Sequence, residues 1–136
     1  MTAPEGADIP ILAALKAKDR EEVLRSARRR TFAPGEVVVR EGDSSVNLFI
    51  VLSGHARVET ATAGISPELG PGTFFGELGI IEEHARTATV TAVDELTCLL
   101  LPAWEFRSLL NEHPEMAVPM LRVLIARLHR LTPHEH

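Results

Sequence analysis

Residues 33–60 read Ala33-Pro34-Gly35-Glu36-Val37-Val38-Val39-Arg40-Glu41-Gly42-Asp43-Ser44-Ser45-Val46-Asn47-Leu48-Phe49-Ile50-Val51-Leu52-Ser53-Gly54-His55-Ala56-Arg57-Val58-Glu59-Thr60. Three runs alternate here with three turn signals. Glu36 to Arg40 follows Ala33-Pro34-Gly35, Asn47 to Leu52 follows Gly42-Asp43-Ser44-Ser45, and His55 to Thr60 follows Ser53-Gly54. Pro presets the backbone for the first corner of a turn, Gly accepts positive φ, and Asp and Ser bond their own backbone. Each run is too short for a stable helix and rich in β-branched or aromatic residues, so each reads as a strand. The rhythm continues downstream. A turn-rich patch spans Gly64 to Gly72, with Pro67, Gly70 and Pro71; Thr87 to Val93 alternates small polar and apolar residues; Leu96 to Leu101 closes the set. Many short strands between regular turns predict a barrel or a jelly-roll sandwich.

Working outward, both flanks read as helical. Asp8 caps a short helix to about Ala17, and Asp19 with Glu22 resembles a capping box opening a second helix to about Ala27. The basic run Arg25, Arg28, Arg29, Arg30 reads as the solvated end of that helix, where cations suit the negative end of the dipole. Pro102 opens a helix to about Leu110, and another runs from Pro114 to about Leu131 with Pro119 as a kink or first-turn residue. Helices, then strands, then helices give an α+β class: an antiparallel, jelly-roll-like β-roll flanked by N-terminal helices and two C-terminal helices. The expected layout is a tail at 1–8, one domain at 9–132 (roll about 30–101, helices about 102–131) and a tail at 133–136.

Composition narrows the function classes. The chain has 136 residues, 45% hydrophobic and 24% charged, with a net charge of −5, which argues against a dedicated nucleic-acid binder. One cysteine, Cys98, lies in the apolar run Leu96 to Leu101 and reads as a small buried hydrophobe, so neither a disulfide framework nor a cysteine metal site is expected. No run approaches the length of a membrane span, and Met1 to Gly6 lacks the features of a signal peptide, so a cytoplasmic protein is expected.

The chemistry concentrates in Gly72-Thr73-Phe74-Phe75-Gly76-Glu77-Leu78-Gly79-Ile80-Ile81-Glu82-Glu83-His84-Ala85-Arg86-Thr87-Ala88. A helical turn near Gly76 leaves its first N–H groups unpaired, which suits a phosphate. Glycines let backbone approach a ligand, and arginine offers a planar fork to phosphate oxygens. A carboxylate repels phosphate, so Glu77 serves a different partner; a sugar hydroxyl fits. Acid for ribose, with arginine and amides for phosphate, makes a nucleotide site. The competing reading is a surface ion pair between Glu77 and Arg86 in a fold that has lost its ligand.

This segment resembles the phosphate-binding cassette of the cyclic nucleotide-binding domain family, which includes the catabolite activator protein and the regulatory subunits of cyclic-nucleotide-dependent kinases. Phe32-Ala33-Pro34-Gly35-Glu36 with Arg40-Glu41-Gly42-Asp43 is similar to the family's opening strand and turn. Phe49 to Gly54 is similar to its central strand, Leu69 to Glu77 to the approach to the cassette, and Arg86-Thr87-Ala88-Thr89-Val90 to its end. The resemblance spans about residues 9–131. It implies that Glu77, helped by backbone at Gly76, accepts from the ribose 2′-hydroxyl. It further implies that the amides of Leu78 and Gly79 face the cyclic phosphate, that Arg86 pairs with a phosphate oxygen, and that Thr87 adds a hydroxyl. Thr87 leaves cGMP open beside the favoured cAMP.

The family's final helix supplies a lid, for which Leu124, Arg127 and Leu128 are the candidates. The stripe Ala117, Leu121, Leu124, Leu128, Leu131 is either a homodimer seam or a face packed on the roll. Phe74, Phe75, Ile80 and Ile81 read as core, and Glu82 and Glu83 as solvated. His55 is followed by Ala56-Arg57 and lacks the His-x-His of a metal-binding cupin; His129, His134 and His136 read as tail, and no metal site is expected. No nucleophile–base pair is present, so a non-catalytic sensor is expected. Alternatives are the effector-binding part of a catabolite-activator-like transcription regulator, and a ligand-free dimerisation module.

Overall fold

The computed structural model describes residues 9–40, 47–60, 64–65, 68–76 and 89–131. In chain order these form α1 (Pro10–Ala13), α2 (Ala17–Ser26), β1 (Arg28–Phe32), β2 (Val37–Val39), β3 (Asn47–Ser53), β4 (Ala56–Thr60), β5 (Gly64–Ile65), β6 (Phe74–Phe75), β7 (Thr89–Ala92), β8 (Leu96–Pro102), α3 (Ala103–Glu112), a 3-10 turn (Pro114–Met116) and α4 (Ala117–Leu131). The strands make two antiparallel sheets. The first has the order β1-β8-β3-β6 and the second β2-β7-β4-β5. The expected β-roll flanked by helices is the fold observed.

The apolar runs of β3 and β8 follow from their position. A strand's side chains alternate between faces, and both faces of the first sheet are covered. Leu48 and Ile50 of β3, Leu99 and Leu101 of β8 and Phe74 of β6 face the helices, joining Ile11, Leu12, Val23, Phe106, Met116 and Met120. Their neighbours Phe49, Val51, Leu96, Cys98, Leu100 and Phe75 face the second sheet, joining Phe32, Val39, Ala56, Val90 and Ala92. Register agrees with this sorting, for Ile50 lies opposite Leu99 and Phe49 opposite Leu100. The second sheet has one covered face. In β4, Arg57 and Glu59 pair with each other at 3.0 Å, both partly exposed, while Ala56 is fully buried.

Several local expectations need correction. Arg28, Arg29 and Arg30 are not a helix end: they form β1, antiparallel to β8, with Arg28 opposite Leu100 and Phe32 opposite Leu96. Of the basic run, Arg25 alone lies in the last turn of α2. Extended backbone wins here because Phe32 gains a fully buried place between the sheets. The capping box at Asp19 also fails. The helix begins two residues earlier at Ala17, and its N-cap, Lys16, makes no side-chain capping bond. Asp19 lies instead 4.0 Å from the His113 ring, at the junction after α3. The first helix stops at Ala13, not near Ala17. The turn-rich patch contains a short strand, β5, paired with β4.

The turn signals at Ala33-Pro34-Gly35 and Ser53-Gly54 hold, while Gly42-Asp43-Ser44-Ser45 lies outside the described residues. At Ala33-Pro34-Gly35-Glu36 the Glu36 amide donates to the Ala33 carbonyl at 3.0 Å, and Gly35 has φ +83°. Pro then Gly at the two central positions is the type II pattern. Pro119 is the third residue of α4, where a missing N–H breaks no helical bond. No described helix is long and apolar enough to cross a membrane.

Candidate functional site

The approach to the cassette crosses from one sheet to the other. Leu69 exchanges both backbone hydrogen bonds with Ala56 of β4, at 2.8 and 2.9 Å, so the chain starts on the second sheet. Gly70-Pro71-Gly72-Thr73 then turns it. The Thr73 hydroxyl donates to the Gly70 carbonyl at 2.6 Å, and Gly72 takes φ +88°. The turn is fixed to β3, for the Gly72 amide donates to the Val51 carbonyl at 2.9 Å and the Val51 amide to the Thr73 carbonyl at 2.8 Å. Phe74 and Phe75 then lie opposite Ile50 and Phe49 in the first sheet.

These two phenylalanines point into different cores. Phe74, fully buried, faces the helices. Phe75 faces the second sheet, with its ring stacked on Phe49 at a centroid distance of 4.8 Å and an interplanar angle of 5°. Both are core residues, as expected. Gly76 follows at once with φ +95°, a conformation that a side chain would strain. The chain therefore leaves the first sheet at a sharply turned glycine held by a doubly anchored strand.

Of the expected ligand contacts, Gly76 is described. Glu77, Leu78, Gly79, Arg86 and Thr87 lie outside the described residues, as do Ile80, Ile81, Glu82, Glu83 and His84. The chain is described again at Thr89, which lies opposite Glu59 in the second sheet. Residues 77–88 thus have one end fixed to each sheet, and the segment singled out for its chemistry joins the two halves of the roll.

Beneath the approach lies a contact between the corner after β3 and the corner after β7. The His55 amide donates to Asp94 Oδ1 at 2.7 Å, and the His55 ring Nδ1 lies 2.8 Å from Asp94 Oδ2. Gly54, at φ +85°, permits it: a Cβ there would meet the Glu95 carbonyl oxygen at 2.1 Å. The ring also reaches the approach turn, with Cδ2 3.4 Å from the place a Cβ on Gly70 would occupy. The hydrogen bond to Asp94 raises the pKa of His55 above the ordinary 6.5, with a smaller push from the Glu68 charge, and the same contact holds Asp94 below 3.8. His55 is therefore a structural clasp, and its partner, 39 positions away, carries no local signal in the sequence. Among the described residues no group of three or more His, Cys, Asp or Glu is placed to hold a metal ion.

Cys98 is fully buried between the sheets, and burial pushes its thiol up to about 12. On α4, Met116 and Met120 are buried, while Val123 and Leu124 pack against the helix-side core. Val118, Leu121 and Ile125 are about half exposed. The stripe read from the sequence is therefore divided: Leu124 turns inward and Leu121 outward. The side chains of Arg127, Leu128 and Leu131 lie outside the described residues.

Known proteins share this arrangement. The profile of the cyclic nucleotide-binding domain matches residues 29–113. A cyclic nucleotide-gated potassium channel of Rhizobium etli is 34% identical over 121 residues, covering 89% of this chain and 34% of the channel. The N-terminal domain of a transcriptional regulator from Streptomyces coelicolor is 32% identical with a TM-score of 0.67, over 88% of this chain and 85% of that one. The catabolite activator protein of Thermus thermophilus is 28% identical with a TM-score of 0.75, over 88% of this chain and 58% of that one. The chain spans about a third or less of the length of the curated relatives it matches.

Proposed function

The chain belongs to the cyclic nucleotide-binding domain family, and from that premise we propose that it binds a cyclic nucleotide, cAMP ahead of cGMP, as a regulatory module without a catalytic step. The observation that carries the reading is the match of residues 29–113 to the cyclic nucleotide-binding domain, within which residues 77–88, between β6 of one sheet and β7 of the other, hold by sequence the acid and the arginine that a ribose and a cyclic phosphate require. In the proposed site Glu77 accepts from the ribose 2′-hydroxyl, Leu78 and Gly79 donate backbone N–H groups to the phosphate, and Arg86 pairs with a phosphate oxygen. Thr87 adds a hydroxyl beside it. Leu124, Arg127 and Leu128 serve as the lid, and α4 forms a homodimer seam. The exposed row Val118, Leu121 and Ile125 supports the seam; it lies at i, i+3, i+7, one face of a helix. The place of action is the cytoplasm, and the site takes no metal.

The test is calorimetric titration with cAMP and cGMP on the wild type and on Arg86→Ala. Micromolar or tighter binding is expected in the wild type. Losing a charge-assisted contact in a partly buried site costs about 2–5 kcal/mol, so the variant should bind at least about thirtyfold more weakly. No binding of either nucleotide to the wild type at millimolar concentration would leave the roll as an association module, the second reading, with the exposed row of α4 as its main surface.

A further inference from the structure

The approach turn has two backbone anchors, and both sit on strands that one corner joins. Val51 of β3 holds Gly72 and Thr73, while Ala56 of β4 holds Leu69. A shift of the corner Ser53-Gly54-His55 would move one anchor against the other. The same corner is tied to the strand that receives the far end of residues 77–88. The Val93 amide donates to the His55 carbonyl at 2.9 Å, and Asp94 takes both the His55 amide and the His55 ring. Val93 and Asp94 follow directly on β7, which begins at Thr89. One corner therefore links the entry to residues 77–88 with their exit.

His55 is the residue common to both ties. On one side of its ring Nδ1 lies 2.8 Å from Asp94 Oδ2. On the other side Cδ2 and Nε2 lie 3.4 and 3.6 Å from the place a Cβ on Gly70 would take. Gly70 opens the approach turn, and its carbonyl accepts from the Thr73 hydroxyl. The side chains of His55 and Asp94 are about half exposed, and an exposed ion pair adds little to stability. The pair is nonetheless closely built. Amide and ring meet the two oxygens of one carboxylate, so the ring has one orientation, with its far edge toward Gly70. The charged groups that face the ring are Asp94, from the corner after β7, and Glu68, from the chain before the approach turn. The Asp94 hydrogen bond raises the His55 pKa most, and the Glu68 charge adds to it, so both neighbours favour the protonated ring. The grip is complete at low pH and weakens as pH climbs through the raised value.

We propose that His55 is a positioning residue for nucleotide binding: gripping Asp94 with one side of its ring and lying against Gly70 with the other, it sets where the chain enters residues 77–88 relative to where it leaves them. The inference rests on the reading of residues 77–88 as the nucleotide site. It adds a residue that touches no ligand, and through it a dependence of affinity on pH.

The full chain is titrated calorimetrically with whichever of cAMP and cGMP the wild type binds more tightly, at about pH 5.5 and about pH 8.5, either side of an imidazole pKa. At the lower pH His55→Ala should bind about twofold to thirtyfold more weakly than the wild type. His55→Asn, which sets an amide donor where Nδ1 stands, should recover most of that loss. The wild type should bind more weakly at the higher pH, by an amount that His55→Asn lacks. His84, within residues 77–88, is common to both proteins and cancels in the comparison. Gly70→Ala sets a methyl against the ring, so its effect on affinity should depend on the ring. Combined with His55→Ala it should be non-additive by about twofold or more. Melting curves verify that each variant is folded. Equal affinity of His55→Ala and the wild type, a pH dependence unchanged in His55→Asn, or an additive pair would each overturn the positioning role and leave the nucleotide reading standing. A wild type that binds neither nucleotide would end both.

Discussion

Gly54 and Gly35 offer a controlled comparison. Both have nearly the same backbone, φ +85° and φ +83°. An alanine at either site adopts a left-handed conformation at about 1–2 kcal/mol, offset by about 0.4–1 kcal/mol from the stiffer unfolded chain. Their surroundings differ. A Cβ on Gly35 has nothing within 4 Å, whereas on Gly54 it meets the Glu95 carbonyl oxygen at 2.1 Å and Asp94 Oδ1 at 2.9 Å. The obstruction is backbone, so relief requires the corner after β7 to move by about 1 Å, in the overpacking range of about 1–3 kcal/mol. Gly35→Ala should therefore cost about 1 kcal/mol and Gly54→Ala about 2–4 kcal/mol. For a chain of this size that corresponds to losses of about 3–5 °C and about 6–20 °C in Tm. Thermal and urea unfolding of both variants is the assay. Equal losses would mean that the corner yields freely, and the packed clasp between Gly54, His55 and Asp94 would be refuted.

The clasp also has a pH signature. Since the Asp94 contact raises the His55 pKa, the contribution of His55 is complete below about pH 6.5 and fades as pH climbs through the raised folded value; that of Asp94, whose pKa is lowered, is complete above about 3.8 and fades as pH falls through its depressed value. NMR titration should find His55 above 6.5 in the wild type and nearer 6.5 in Asp94→Asn; an unmoved titration would mean that the ring has another partner. Cys98, with its thiol pushed up to about 12 inside the inter-sheet core, should react with a thiol reagent only as fast as the protein opens. Rapid labelling of the native protein would contradict its placement.

What the sequence disclosed follows a physical pattern. The described strands within residues 33–60 and 89–102 were legible to within two residues, because turns such as Pro34-Gly35 and Ser53-Gly54 carry chemistry that acts locally. The Phe74-Phe75 pair was legible as core, although the sequence could not assign the two rings to different cores. β1 was not legible as a strand. Three arginines pair with β8 some seventy positions away, and only that partner and the pocket for Phe32 make the extended form favourable. Asp19 failed as a cap because the helix already starts at Ala17, and its neighbour His113, 4.0 Å away, is one that only the fold brings near. The division of the α4 stripe was equally hidden, since a helix repeat shows that one side is apolar but not which neighbours will cover it.

The division of Phe74 from Phe75 also bears on how a signal would leave the proposed site. Residues 77–88 are entered through a two-residue strand with one ring in each core. Phe75 stacks on Phe49 between the sheets, while Phe74 shares a core with Met116, Met120 and Leu124. Packed cores deform little, so a displacement at Gly76 is carried by one of these rings or absorbed by the glycine itself. On the inter-sheet side Phe75 is backed by a parallel ring and by both sheets. On the other side Phe74 belongs to the same core as α4 and its preceding turn, which contribute Met116, Met120 and the half-buried Val123 and Leu124. A ligand that binds one arrangement of residues 77–88 better than another would thus bias the seating of α4, by no more than its difference in affinity for the two. The exposed row Val118, Leu121 and Ile125 lies on that same helix, so a reseating of α4 would change how the row is presented, and the proposed nucleotide site and the proposed seam share one mechanical element.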